Sequence, residues 1–202
     1  MTGQYITVGD VPILALRVTY VGELGWEMYC AIEYGLRLWD TLWEAGEAEG
    51  MVAAGYRAID TLRLEKGYRY WSAEISPDYT PFEAGLGFAV KLDKGDFLGR
   101  GALLKQKQAG LKRKLCCLTL TDNRVIALGK EPIRPAGKPD IIAWVASGGF
   151  GYSVNESILF AYLPIEYSKN GSKLEIDFFG ETVGAEVKPS PLWDPKGERI
   201  RA

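Results

Sequence analysis

The residues best suited to chemistry lie in one short segment, Thr19–Tyr29, which reads TYVGELGWEMY. Tyr20 precedes a glycine-containing turn, and the carboxylates Glu23 and Glu27 follow within the same predicted hairpin. If Glu27 faces a pocket, its two oxygens can accept parallel hydrogen bonds from a flat N–H edge of a ligand. The alternative is a solvated turn residue at 23 and an ordinary exposed strand residue at 27, and the pattern alone favours that alternative.

Two further segments combine charge with aromatic rings. Basic and aromatic residues alternate in Ala58–Trp71, a mixture that can hold a flat ring by stacking. The simpler interpretation is that the long stems of Arg63 and Lys66 cover apolar surface. Glu83 and Phe88 follow in TPFEAGLGF, whose glycines allow a close approach of the backbone but equally suit a plain turn.

Composition removes several mechanisms. The 202 residues include no histidine, which excludes Ser-His-Asp or Cys-His catalysis and His-ligated metal from this chain alone. The formal net charge of -2 gives no reason to expect nucleic acid or an acidic membrane as partner. Cys116 and Cys117 are adjacent in a predicted strand, so their side chains should point to opposite faces and stay reduced. With no signal peptide or membrane span in the sequence, we expect a cytoplasmic protein, or a mitochondrial matrix protein in a eukaryote.

Hydrophobic periodicity predicts the elements that must position these residues. The first part of the chain alternates strand and helix patterns, whereas the part after Leu111 consists of short strand-length runs separated by turn signals. We therefore predict an α+β fold: residues 1–110 form an α+β portion and residues 111–202 an all-β barrel. The predicted elements before the barrel are a strand over 14–20 with Leu14 and Leu16 on its buried face, a strand over 26–30, a helix over 33–47 with Leu36, Trp39, Leu42, Trp43 and Gly46 on one side, a helix over 55–66, a strand over 88–92 and a helix over 99–109.

Several blocks occur in a characteristic order and spacing: RVTYVGELGWEMY, AIDTLRLEKGYRYWSAEISPDYTPFEAGLGFAVKL, DFLGRGALLKQK and GLKRKLCCLTL. The chain resembles the aminomethyltransferase (glycine cleavage T-protein) family over nearly its whole length. Within that family it is most similar to the folate-binding C-terminal region of dimethylglycine and sarcosine dehydrogenases. The resemblance implies a partial tetrahydrofolate-binding α+β domain followed by a C-terminal β-barrel, and transfer of a one-carbon unit from a nitrogen onto tetrahydrofolate.

The resemblance also implies roles for individual residues. Tyr20 and Glu27 match the family's hairpin residues that line the folate site, where Glu27 would accept hydrogen bonds from the pterin amino and ring N–H groups. Phe88 stands where relatives carry an aromatic residue against the pterin ring. Arg199 or Arg201, of which we prefer Arg201, corresponds to a C-terminal arginine that reaches the folate and would suit a carboxylate.

Two departures from the family pattern affect the expected activity. Ile59 replaces the arginine that precedes the helix aspartate in T-proteins proper. The family's catalytic aspartate has no counterpart here, since Asp10 is the only acid before Tyr20 and its context does not match. We therefore assign no catalytic residue, expect the chain to be the C-terminal portion of a longer family member, and expect the isolated chain to be inactive.

The expected partners follow from the same resemblance. They are folate and a small methylated amine or aminomethyl donor, with self-association or association with a missing N-terminal or FAD-binding portion. The alternative to an enzyme part is a non-catalytic folate-binding or protein-interaction module.

Overall fold

A computed structural model describes residues 2–202 of the chain. The chain divides into two compact units, one formed by residues up to Arg63 together with Lys196–Ala202, and the other by Leu64–Pro195. These units are defined by contacts between residues, whereas the predicted boundary between residues 110 and 111 separates an α+β portion from a barrel. That boundary therefore stays a prediction. Among residues 2–202, no helix is both long and apolar enough to cross a membrane.

The first unit contains a three-stranded antiparallel sheet in the order β1-β2-β3. The strands are β1 (Gly3–Val8), β2 (Val11–Leu16) and β3 (Glu27–Tyr29). The predicted pairing of two strands across the glycine turn is confirmed, although the first strand ends at Leu16. Strand β1 was not predicted from the sequence. It pairs with β2 across a two-residue turn in which Gly9 has φ of +60°, a conformation that favours glycine.

The helix α1 (Gly35–Gly46) covers one face of this sheet. The buried cluster consists of Val11, Ile13 and Ala15 of β2 with Leu38 of α1. The predicted face of β2 is therefore wrong, because Leu14 and Leu16 lie on the opposite side of the strand. The predicted side of α1 is right at Leu42, which packs against this cluster, but Leu36 and Trp39 are exposed. Both sides of β2 are apolar, so alternation could not show which side the helix would cover. The helix α2 (Tyr56–Glu65) follows.

The second unit contains a closed six-stranded barrel in the order β4-β7-β6-β5-β8-β9. The all-β barrel predicted for the C-terminal part is confirmed, and every described strand pair in it is antiparallel. The strands are β4 (Arg113–Leu120), β5 (Pro132–Pro135), β6 (Ala143–Gly151), β7 (Glu156–Pro164), β8 (Lys173–Phe178) and β9 (Glu181–Lys188).

Side chains alternate between the inside and the outside of the barrel. Leu118, Ile133 and Ile176 lie in its fully buried interior cluster. The predicted divergence of the two adjacent cysteines is confirmed: Cys116 belongs to the interior cluster, and Cys117 packs outside with Leu64, Ile158 and Phe160. Closure pairs every strand of the barrel with two neighbours and leaves no open edge.

One local prediction in the second unit is corrected by the structure. Phe88 lies in a 3₁₀ turn, Gly87–Ala89, and not in a strand, because the glycine-rich segment before it forms consecutive turns. Residues 148–151 (GGFG) end β6, which pairs antiparallel with the next strand, β7, in a hairpin. A Cβ at Gly148 would lie 2.4 Å from the carbonyl oxygen of Ala127, so a close approach of two backbones explains the glycine there. The predicted third helix is observed as α3 (Arg100–Ala109).

Candidate functional site

The face of the first sheet opposite α1 is apolar, and the tyrosines on it are largely exposed within residues 2–202. Because Ile13 and Ala15 point toward α1, the alternating residue Leu14 points to the other side of the sheet. Leu14 pairs with Tyr5 on β1 and with Tyr29 on β3, so the three side chains share this face. A cleft of about 450 Å³ lies here, and these three residues are part of its lining.

Glu27 continues the same face toward the glycine turn. It pairs with Leu16, two residues from the Leu14–Tyr29 pair. The Tyr29 hydroxyl donates a hydrogen bond of 2.6 Å to Oε2 of Glu27. This hydrogen bond, together with the nearby negative charge, raises the pKa of Tyr29. Within residues 2–202 the other carboxylate oxygen, Oε1, has no hydrogen-bond partner, so the exposed carboxylate keeps one oxygen available to a ligand.

Tyr20 lies in the connection between β2 and β3, where it is half-buried. Arg17 shapes this connection, since its guanidinium donates a 3.3 Å hydrogen bond to the carbonyl oxygen of Gly25 and lies 5.5 Å from the centre of the Trp26 ring. The same guanidinium donates a hydrogen bond of 3.4 Å to the carbonyl oxygen of Ile200. Arg17 thereby ties the turn between β2 and β3 to the C-terminal tail.

The two C-terminal arginines differ in their contacts. Nε of Arg199 lies 2.9 Å from Oε2 of Glu23, which joins the tail to the turn of the hairpin by an ion pair. Arg201 donates instead to carbonyl oxygens of its own tail, those of Gly197 at 2.8 Å and of Lys196. In this structure Arg199 contacts the predicted hairpin, whereas Arg201, the arginine preferred from the sequence, folds back on the tail.

Phe88 belongs to the second unit, and its side chain is 77% exposed. Glu83 lies in the preceding turn and is nearly buried. Burial opposes its ionisation, but hydrogen bonds from the backbone N–H and hydroxyl of Thr80 and from Arg113 outweigh burial and lower the pKa of Glu83. Glu83 is therefore a charged structural residue that orders its own turn and holds Arg113.

Within the first unit, the structure brings the predicted residues Tyr20, Glu27 and Arg199 onto one hairpin and the tail attached to it. Sequence analysis did not single out Tyr29 and Arg17. The signal for Tyr29 was available, because residues 27 and 29 share a face in any strand. No sequence pattern indicates the role of Arg17, because its partners lie in a turn and in a tail more than 180 positions away.

The structure describes the carboxylates at or next to both positions where the sequence departs from the family pattern. Asp10, in the turn between β1 and β2, accepts a 3.0 Å hydrogen bond from Arg37, and this bond lowers the pKa of Asp10. Ile59 is half-buried in α2, and the neighbouring Asp60 pairs with Arg63 at 2.7 Å. Both carboxylates are thus held in ion pairs with arginines.

The structure also describes the groups that could take part in metal binding or thiol chemistry. Across residues 2–202, no group of three or more Cys, Asp or Glu side chains could hold a metal ion. The three cysteines are free thiols. Burial raises the pKa of Cys116 to about 11 and that of Cys117 to about 12, so both are protonated and unreactive near neutral pH.

Comparison with known proteins gives consistent matches along the chain. Two family models match it, the GCVT N-terminal domain over residues 1–94 and the glycine cleavage T-protein C-terminal barrel domain over residues 113–194. Mitochondrial dimethylglycine dehydrogenase of Homo sapiens is 40% identical over 199 residues, which are 97% of this chain and 23% of that protein. An aminomethyltransferase of Desulfitobacterium hafniense is 38% identical over 190 residues, which are 94% of this chain and 51% of the relative.

A solved structure agrees with these matches. The crystal structure of glycine cleavage system aminomethyltransferase T from Bartonella henselae superimposes with a TM-score of 0.82 at 28% sequence identity, covering 89% of this chain and 49% of the other. The chain thus spans from about a quarter to about half of the length of these proteins, 23% in the dehydrogenase and 51% in the bacterial aminomethyltransferase.

Proposed function

Because the chain belongs to the glycine cleavage T-protein (aminomethyltransferase) family, we propose that it acts as part of a tetrahydrofolate-dependent one-carbon transferase. In the larger protein it would supply one wall of the folate site and the barrel that accompanies that site. The reaction would move a one-carbon unit from a small methylated amine or aminomethyl donor onto folate. When bound, tetrahydrofolate supplies the nitrogen that accepts the carbon.

The Glu27 carboxylate is the observation that carries the proposal. One of its oxygens is fixed by the Tyr29 hydroxyl at 2.6 Å, and the other has no partner within residues 2–202. A fixed carboxylate with an available oxygen suits an N–H edge such as the one that a pterin presents, because hydrogen bonds to an ionised acceptor are among the strong ones. The apolar face formed by Tyr5, Leu14 and Tyr29 continues from Glu27 and suits the flat body of such a ring.

The other predicted residues take supporting roles in this proposal. Tyr20 would line the site from the connection that Arg17 orders, and Phe88 would provide an aromatic surface for the ring. Arg201 was the preferred arginine for an acidic group of the folate. The ion pair between Arg199 and Glu23 supports giving part of that role to Arg199, because this pair holds the tail on the same hairpin as Glu27.

The proposed partners follow from the family rather than from any bound group. Dimethylglycine dehydrogenase and sarcosine dehydrogenase are both more than four times as long as the part that matches here, since that part is 23% of the human dimethylglycine dehydrogenase and 22% of the mouse sarcosine dehydrogenase. We propose that the chain works together with an FAD-binding portion that produces the one-carbon unit. The alternative of a non-catalytic folate-binding or interaction module is not favoured, since the relatives are named as dehydrogenases and aminomethyltransferases.

Calorimetry with tetrahydrofolate tests the role of Glu27. Glu27→Gln keeps the size of the side chain but removes the charge, and we expect it to weaken binding by about tenfold or more, because a hydrogen bond to a charged group contributes roughly 1.5–3 kcal/mol. Glu33→Gln is the matched control, since Glu33 is an exposed acid in a 3₁₀ turn of the same unit. The titration is made on this chain and on a reconstituted full-length protein.

Two results would contradict the proposal. Equal affinity of wild type and Glu27→Gln would remove the role of Glu27 while leaving folate binding in place. The absence of tetrahydrofolate binding in both preparations would remove the proposed function itself.

A further inference from the structure

A second cleft lies in the barrel unit and is not used by the proposed folate chemistry. It has a volume of about 330 Å³ and is bounded by the start of β4 at Arg113, the end of β7 at Pro164 and the start of β6 at Trp144. Arg113 and Pro164 are paired in the ladder between β4 and β7, so this side of the cleft is rigid backbone. Tyr79, from the turn region before Glu83, closes another side.

Arg113 is held in one orientation at this cleft. Its Nε donates a 3.0 Å hydrogen bond to Oε1 of Glu83, and its Nη2 donates one of 2.8 Å to the carbonyl oxygen of Asp78. The guanidinium also lies 4.6 Å from the centre of the Tyr79 ring. The side chain is still 43% exposed, and within residues 2–202 its Nη1 has no hydrogen-bond partner. A guanidinium that is fixed in this way loses little entropy when it binds a ligand.

The charge of the cleft is positive. Its lining includes Lys112 as well as Arg113, and none of the described residues that line it is acidic. Glu83 compensates the charge of Arg113 from outside the lining, whereas Lys112 is exposed and makes no ion pair with any described residue. The uncompensated charge of the ammonium group therefore favours an anion.

Three aromatic residues, Tyr79, Trp144 and Tyr162, are part of the remaining lining. Tyr79 stacks on Tyr162 with ring centres 3.6 Å apart and an angle of 3° between the ring planes, and the Tyr162 hydroxyl is tied to the carbonyl oxygen of Glu74 at 2.7 Å. Trp144 stands at the rim with 55% of its surface exposed, although it is one of the largest apolar side chains of the barrel. An exposed tryptophan beside two cations is a suitable surface for a flat ring that carries an anionic group.

We propose that this cleft binds a small aromatic carboxylate, with the carboxylate at Lys112 and Arg113 and the ring against Trp144. The fixed guanidinium and the mobile ammonium group hold the two carboxylate oxygens. The ring covers the exposed indole and the tyrosine wall. The volume of the cleft limits the ligand to about one ring with short substituents, since it lies at the lower end of the usual range of ligand pockets.

Benzoate is the probe for this site, and benzamide is its neutral control of nearly the same shape. The measurement is a titration of the ¹⁵N-labelled chain followed by NMR, in which the shifts locate the ligand and give its affinity. We expect benzoate to shift the indole N–H of Trp144 and the amides of Arg113 and Ala143. Benzamide should bind about tenfold more weakly, because it lacks the charge that Lys112 and Arg113 recognise.

Variants separate the proposed contacts from general charge and from folding. Lys112→Ala and Trp144→Ala should each weaken benzoate about fivefold or more. Lys105→Ala on α3 and Trp71→Ala, both at exposed positions of the same unit, should leave it unchanged. Equal affinities for benzoate and benzamide, shifts that map elsewhere, or no shift in a folded wild-type chain would overturn the proposal. Native spectra of each variant exclude misfolding as the cause of weaker binding.

Discussion

At the scale of single residues, the candidate site depends on one carboxylate and one hydroxyl. Glu27 and Tyr29 lie two positions apart in β3, and a short hydrogen bond joins their side chains. This bond orients the Glu27 carboxylate, which is otherwise exposed to solvent. The buried pair of Lys66 and Asp194 is different in kind. Its 2.8 Å ion pair is almost completely buried, so it holds two segments of the chain together and is not accessible to a ligand.

The Tyr29 hydroxyl reports on this contact. Ionising Tyr29 breaks the hydrogen bond to Glu27 and places two negative charges side by side, so the pKa of Tyr29 is raised in the folded chain. We expect Glu27→Gln to lower the pKa of Tyr29 toward the ordinary value of a tyrosine, because the charge is removed. The measurement is a titration of the ¹³Cζ resonance of Tyr29 by NMR. A tyrosine pKa that is the same in both proteins would mean that the contact does not form in solution.

At the scale of elements, the two faces of β2 carry different functions. Ile13 lies in the core beneath α1, whereas Leu14 lies on the open face beside Tyr5 and Tyr29. We expect Ile13→Asp to destabilise the first unit by several kcal/mol, because it places an unpaired carboxylate in an apolar core. Leu14→Asp should change the free energy of unfolding by about 1 kcal/mol or less, because the new charge stays in contact with water.

Urea denaturation followed by circular dichroism measures both β2 variants. The neutral variant Ile13→Val separates the effect of charge from that of volume and should cost only about 0.5–1.5 kcal/mol. Greater loss of stability in Leu14→Asp than in Ile13→Asp would reverse the assignment of the two faces.

The same elements show which structural features sequence patterns can predict. In the barrel, turn signals separate the strand-length runs, and the all-β barrel predicted from them is observed. In the first unit both faces of β2 are apolar, so periodicity found this strand but selected the wrong face. For α1 periodicity correctly placed Leu42 against the core but did not identify Leu38. The strand predicted over 88–92 is wrong for another reason. A run of apolar residues after glycines suits a strand or a turn, and only the packing of the chain decides between them. The site residues on the hairpin were found through the family resemblance, whereas Tyr29 and Arg17 became apparent only through their contacts.

At the scale of the whole molecule, the two units differ in whether their sheets have open edges. The barrel closes on itself and has no edge, whereas the sheet of the first unit has β1 on one side and β3 on the other. The sequence of β1, GQYITV, contains no charged residue and no proline, which are the usual protections of an exposed edge. The first unit also exposes large apolar side chains, among them Tyr5, Ile32, Leu36 and Val52.

These features predict that two copies of the chain associate through β1. Antiparallel pairing of β1 with itself has two-fold symmetry and brings no like charges together, so it extends the sheet without an electrostatic cost. We expect the sedimentation coefficient of the wild-type chain to rise with protein concentration. Thr7→Lys places a charge on the edge strand and should keep the chain monomeric, because a lysine on an exposed edge is one of the usual protections against strand pairing.

Thr182→Lys provides the matched control for this prediction. Thr182 is exposed on β9, a barrel strand that already has a neighbour on each side, so the same change in charge there should leave association unaltered. A wild-type chain that stays monomeric at its highest soluble concentration would contradict the prediction. An equal reduction of association by both lysine variants would show that net charge, rather than the open edge of β1, controls the assembly.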